Sequence, residues 1–272
     1  MKLRFPVPIF SKEQVYTHID LKKPGAKVLS DTVDVISSAG EYMGFRNFIS
    51  GSAEKIYNEE REITDKLAIK SLVFIMPNKS AEYTALQTII DFHNGEDYIS
   101  GLYLCPMCGE KKISRKTSEI DTRDRISDLS VTFMNELEPT ITIDFEEPSI
   151  VIVRGQEFVV NSISLAYPTL EHHHKAYTRY GNNNLIKYQL AVYAEALTEV
   201  NGEKISDEWR KPYGLKLFEN IPNLKTETDK LSAFVNKYGI DLRLEKRCNK
   251  CDEVWKPVIN TSNFFGSALQ LR

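Results

Sequence analysis

All four cysteines of the chain fall into two short pairs, Cys105-Pro106-Met107-Cys108 and Cys248-Asn249-Lys250-Cys251. A Cys-x-x-Cys turn lets both sulfurs of one knuckle reach the same ion. Tetrahedral zinc takes thiolates at about 2.3 Å, so two such turns complete one coordination sphere. Cys105, Cys108, Cys248 and Cys251 are therefore read as the ligands of a single zinc ion. The ion is read as structural, because four thiolates fill the sphere, whereas a catalytic zinc keeps one position open for water or substrate. It would close a long loop and join the two halves of the protein.

Disulfides and redox chemistry are the competing uses of these residues. The opening Met1-Lys2-Leu3-Arg4-Phe5-Pro6 lacks the apolar run of a secretory leader, which argues against an extracellular disulfide protein. A redox Cys-x-x-Cys sits at a helix N-terminus behind a buried strand, and Gly109-Glu110-Lys111-Lys112 reads instead as a turn into a charged strand. Lys111, Lys112, Arg115, Arg243, Lys246, Arg247 and Lys250 lie near the cysteines in sequence and would offset the net negative charge of a zinc tetrathiolate.

Elsewhere the chain offers little chemistry. His172-His173-His174 invites a metal reading, but neighbours on a helix point about 100° apart and cannot share one ion, so an exposed helix face is expected. Glycine-rich phosphate loops, nucleophile elbows and His-Glu-x-x-His motifs are missing from the sequence. Acidic runs such as Glu59-Glu60-Arg61-Glu62 and Glu146-Glu147 have the character of solvated faces and turns. The protein is read as non-enzymatic, without catalytic residues and without a binding site for an organic cofactor.

With 272 residues and a net charge of -3, the chain can bury a sizeable core and has no global positive field to draw it onto nucleic acid or an anionic membrane. Its longest apolar runs, such as residues 72–76, fall far short of the roughly 20 residues of a membrane span. Thirteen Tyr and thirteen Phe exceed what catalysis would need; most are expected in the core and some on contact surfaces.

The elements that would position the knuckles come in two similar sets. Ile19-Asp20-Leu21-Lys22-Lys23-Pro24 and Ile163-Ser164-Leu165-Ala166-Tyr167-Pro168 each read as a strand followed by proline at a helix start. Pro24 precedes Cys105 by 105 − 24 = 81 residues, and Pro168 precedes Cys248 by 248 − 168 = 80, a near-repeat that suggests internal duplication. Helical periodicity marks residues 28–36, 63–75 and 80–93 in the first half, with a loop at Gly40, Gly44 and Gly51. Residues 129–133, 140–145, 149–153 and 157–160 read as strands of a small antiparallel sheet, with a turn at Arg154-Gly155-Gln156. Helices are expected again over 168–180, 185–200, 206–219 and 226–238, before the second knuckle and a tail bearing Phe264 and Phe265.

The fold class read from this pattern is α+β: two helical, duplicated halves joined by a small antiparallel sheet and sharing a four-cysteine zinc-ribbon-like site. Residues 1–125 form the first half, 126–162 a β-rich connecting segment and 163–272 the second half with the tail.

Several of these segments carry a family resemblance. They are Lys2-Leu3-Arg4-Phe5-Pro6-Val7-Pro8, residues 163–170 entering a helix, Val200-Asn201-Gly202-Glu203, and Arg247-Cys248-Asn249-Lys250-Cys251 followed by Asn263-Phe264-Phe265. In these the chain resembles the baseplate hub and hub-assembly proteins of contractile-tailed bacteriophages of the T-even type. The second half matches best, and the family members are shorter, usually with one such unit. The resemblance implies a structural or assembly protein that binds other baseplate and tail components, in the virion or in the host cytoplasm during assembly, and leaves room for an oligomer within the baseplate. It carries over no residues except the knuckle cysteines. The alternative is a zinc-ribbon nucleic-acid-binding protein, whose basic residues near the cysteines would contact phosphate.

Overall fold

A computed structural model describes residues 1–12, 14–92, 98–99, 102–109, 111–113, 124–125, 129–181 and 184–258. The chain mixes helices with small antiparallel sheets. The first half runs β1 (Lys2–Phe10), β2 (Val15–Leu21), α1 (Ala26–Ala39), α2 (Glu41–Ser52), β3 (Ala53–Tyr57), β4 (Glu62–Ile63), α3 (Lys66–Phe74) and α4 (Asn78–Phe92). Short strands follow: β5 (Tyr98–Ile99), β6 (Leu102–Leu104), β7 (Lys111–Ile113), β8 (Asp124–Arg125) and β9 (Val131–Thr132). The same order of strand pair, helix pair, strand pair and helix pair then returns. It comprises β10 (Thr140–Val153), β11 (Gln156–Ala166), α5 (Leu170–Tyr180), α6 (Leu185–Ala196), β12 (Leu197–Val200), β13 (Glu203–Lys204), α7 (Asp207–Glu219) and α8 (Leu224–Val235). Three short strands close it: β14 (Gly239–Ile240), β15 (Lys246–Arg247) and β16 (Val254–Trp255).

The correspondence extends to individual residue pairs. Each half has a four-stranded sheet in the order of the chain, β1-β2-β3-β4 and β10-β11-β12-β13. In the first sheet Arg4 pairs with His18 and the next paired residues are Ile9 and Tyr16; in the second, Asp144 pairs with Ser162 and the next are Ser149 and Val160. Both opening strands therefore carry the same wide bulge, spanned by Phe5-Pro6-Val7-Pro8 in one and Phe145-Glu146-Glu147-Pro148 in the other. A second irregularity also recurs. Asp20 faces Lys55 while Leu21 faces Ala53, and Ser164 faces Glu199 while Leu165 faces Leu197. Helix α4 begins at Asn78 after Pro77, and Asn223 after Pro222 is the N-cap of α8; Glu82 with Leu86 on one and Glu227 with Leu231 on the other are buried at matching spacing.

These findings revise the arrangement expected from the sequence. A sheet does not join two helical halves, since each half owns one. Strands β10 and β11, which include most of the segment read as a connector, pair with each other, and β11 pairs in turn with β12 of the second half. Pro24 and Pro168 lie one residue before the N-caps Gly25 and Thr169, outside the first helical turn. The expected loop at Gly40, Gly44 and Gly51 is mostly α2. Its glycines permit close helix packing: a Cβ on Gly44 would meet Ile36 at 2.2 Å and one on Gly51 would meet Val28 at 2.7 Å.

Each half has its own apolar core and borrows from the other. Ile19, Leu21, Ile49, Ile56, Met76 and Leu86 lie in the first, joined by Leu170 and Ile240 of the second half. Ile163, Leu165, Tyr193, Val200, Ile221 and Leu231 hold the equivalent places in the second core, joined by Val7. At the seam the Asn78 N–H donates to the Pro168 carbonyl at 2.9 Å and the Leu170 N–H to the Met76 carbonyl at 3.1 Å. The seam is one-sided. Among the described residues no backbone hydrogen bond joins residues 221–223 to residues 24–26, the counterpart positions.

Candidate metal centre

Each knuckle is the tip of a two-stranded hairpin, β6-β7 in one case and β15-β16 in the other. Pairing of Leu104 with Lys111 and of Arg247 with Val254 brings the chain to the two tips. There the turns have the same geometry. The Gly109 N–H donates to the Cys105 carbonyl at 3.0 Å, and the Asp252 N–H donates to the Cys248 carbonyl at 3.0 Å. The residue after the second cysteine has positive φ in both, +68° at Gly109 and +56° at Asp252. Glycine reaches that region without strain, and aspartate is among the few other residues that visit it readily.

The hairpins bring together all four cysteines singled out in the sequence. Cys105 Sγ lies 3.6 Å from Cys251 Sγ, and Cys108 Sγ lies 3.5 Å from Cys248 Sγ. Ligand atoms of the four residues all lie within 4.8 Å of one another, a group that could hold a metal ion. Thiolates about 2.3 Å from a tetrahedral centre stand about 3.8 Å apart, so the sulfurs already occupy a nearly tetrahedral set of positions. A disulfide would need about 2.05 Å. All four thiols are free. Cys105 and Cys248, which lead their knuckles, are buried, while Cys108 is partly exposed and Cys251 exposed.

Protonation at the cluster is set by backbone hydrogen bonds to the sulfurs, by burial and by the sulfurs' closeness to one another. Hydrogen bonding from the Lys250 N–H, 3.4 Å from Cys248 Sγ, is the main influence drawing the Cys248 thiol down to about 6. At Cys251 the largest single influence, a hydrogen bond with the Glu253 backbone, acts downward. Burial and the three neighbouring sulfurs outweigh it and push the thiol up to about 12. Neighbouring thiols resist taking on several negative charges together, and a divalent cation among them removes that resistance.

Part of the nearby basic charge is engaged within the protein. Arg243 grips Asp241 through two hydrogen bonds of 2.8 Å, Lys246 Nζ sits 4.9 Å from the centre of the Tyr103 ring, and Lys256 pairs with Glu245 at 3.8 Å. Lys111 and Lys112 lie on β7 beside the first knuckle. Arg115 and the tail with Phe264 and Phe265 lie outside the described residues.

The histidine triplet departs from expectation. It stands at the start of α5, and none of its members is exposed. Thr169 Oγ1 accepts from the His172 N–H and His172 Nδ1 accepts from the Thr169 N–H, which makes a capping box. His173 is only 4% exposed, stacks on Tyr42 with ring centres 3.7 Å apart, and shares a 2.7 Å hydrogen bond with Tyr188 Oη through Nδ1. Burial holds His173 neutral, with its pKa down at about 3, and lowers His172 to about 4. The His173 and His174 rings line a cavity of about 290 Å³ at the seam, together with Tyr42, Tyr177 and Tyr188. The sequence signal for this role was Thr169 standing three residues before His172 at a helix start.

No protein-family profile, curated protein or solved structure matches the chain. Among the described residues, no helix is long and apolar enough to cross a membrane.

Proposed function

We propose that the protein is a non-enzymatic scaffold, built from two duplicated units and stapled by one structural zinc ion, which binds other components during assembly of a contractile-tail baseplate. The observation that carries the stapled scaffold is the meeting of two knuckles of the same geometry, one after each set of eight elements, with cross-half sulfur distances of 3.5 and 3.6 Å. Zinc suits an all-thiolate set at tetrahedral spacing, and a filled sphere leaves no position for a substrate. The recurring bulge and register of the two sheets support duplication, because such irregularities are specific to a fold and are kept within families. The baseplate assignment rests on the sequence resemblance.

Neither site offers the parts of a catalyst. The seam cavity is lined by His173, which burial holds neutral, and by Tyr188, whose phenol burial keeps protonated. The role is tested by mass spectrometry of purified phage particles and of baseplate intermediates from infected cells. A structural component appears in the particles and an assembly factor only in the intermediates. Absence from both would overturn the baseplate reading.

A further inference from the structure

We infer that the chain associates with further copies of itself head to tail, the second half of one molecule docking on the first half of the next as its own first half docks on its second. The inference rests on reading the halves as repeats. In the internal seam, the first half offers Tyr42 of α2 and the Met76-Pro77-Asn78 segment. The second half receives them with His173, Leu170 and Pro168. Leu170 is completely buried there, in the first half's core.

By the strand register that relates the halves, and by the match of Pro77-Asn78 to Pro222-Asn223 at the starts of α4 and α8, the second half carries the same offering face at Ile186 and Ile221-Pro222-Asn223. The first half carries the same receiving face at Pro24, Ala26 and Leu29. Among the described residues no backbone hydrogen bond joins these two faces within one chain. Ile186 is 70% exposed, a large apolar side chain left to solvent at the start of a helix, while its neighbour Leu185 borders the internal seam cavity. Ala26, the counterpart of the buried Leu170, is exposed; Leu29, the counterpart of His173, is half-buried against the first half's core, and Pro24 is buried.

The exchanged residues remain complementary. The Tyr42 and His173 rings that stack inside the chain become Ile186 and Leu29 across the outer seam, an aliphatic pair in place of an aromatic one. The phenylalanine of the Phe74–His174 ring contact becomes Glu219, which already pairs with Lys187 at 3.5 Å, so the rim of the outer face is polar. An apolar centre with a polar rim is the usual anatomy of a protein interface. The internal seam already shows how such a face is covered, and its occupant is another copy of the same unit. Because the two faces differ, the contact is heterologous, and it propagates into rings or open chains.

Sedimentation equilibrium of the zinc-loaded full chain tests this. Mass should rise with concentration beyond that of one chain. Ile186→Asp, which spoils the offering face, and Ala26→Arg, which spoils the receiving face, should each sediment as a monomer. Both positions are exposed, so circular dichroism and bound zinc should match those of the parent chain. An equimolar mixture of the two variants should form a species of twice the monomer mass and stop there, since one good face of each kind remains. A parent chain that stays monomeric up to millimolar concentration would overturn the proposal, as would variants that fail to pair on mixing. Either result with zinc still bound would count against this interface and leave the metal centre untouched.

Discussion

Cys108 and Cys248 lie 140 residues apart in the chain, yet their sulfurs are 3.5 Å apart at the meeting of two hairpins. Such closeness links the last elements of one half to the last elements of the other. Replacing Cys248 by serine should remove a ligand that the remaining three cannot replace. Loss of a structural metal belongs to the few changes that cost more than about 4 kcal/mol. The expected outcome is a lower melting temperature and rapid trypsin cleavage near the knuckles, and chelation of the parent chain should reproduce both. A variant as stable and as protease-resistant as the parent would remove the bridging role.

Glycine in α2 makes a prediction of the opposite kind, in which adding atoms does harm. A methyl group at Gly44 would overlap Ile36, and overpacking of this sort costs about 1–3 kcal/mol. Gly44→Ala should shift the urea midpoint downward. Ile36→Ala in the same chain should restore part of the loss by clearing the space. Destabilisation by Gly44→Ala that is unchanged in the Ile36→Ala background would mean that the two helices do not cross at this point.

Some of the fold was legible in the residues and some was hidden by them. The knuckle spacing, the helices α1, α3, α4, α5 and α7, and the β10-β11 hairpin could all be read. That hairpin turns at Arg154 and Gly155, which both have positive φ as a tight two-residue turn requires. Helix α2 could not be read, because glycines that serve close packing look the same in sequence as glycines that break helices. Strand β1 was masked by Pro6 and Pro8, which fall in the bulge of an edge strand, where a missing N–H is tolerated. Strands β3 and β12 follow α2 and α6 without a loop, so their apolar residues merged with the helical pattern. Asn58 and Asn201 make a likeness between the halves that is visible only in three dimensions. Their side-chain amides donate to the Val15 and Val159 carbonyls, which hold matching places on β2 and β11.

Buried histidine gives the protein an acid sensitivity with a definite sign. The pKa of His173 is about 3 in the folded chain and about 6.5 when unfolded, so in between only the unfolded state takes up the proton. The stability conferred by neutral His173 is complete above about pH 6.5 and is lost as pH falls toward about 3, at up to about 1.4 kcal/mol per unit. His173→Gln should be less stable than the parent at neutral pH and should lose stability more slowly on acidification. Urea midpoints of both chains across this range check it, and parallel curves would show that His173 titrates normally in the folded state.

The most direct test of the central claim is X-ray absorption at the zinc edge, together with metal analysis, on full-length protein purified without added chelator. One zinc per chain with four sulfur neighbours at about 2.3 Å is the predicted result. Protein without bound metal, or a metal with nitrogen, oxygen or water in its first coordination sphere, would contradict a closed four-thiolate staple between the two halves.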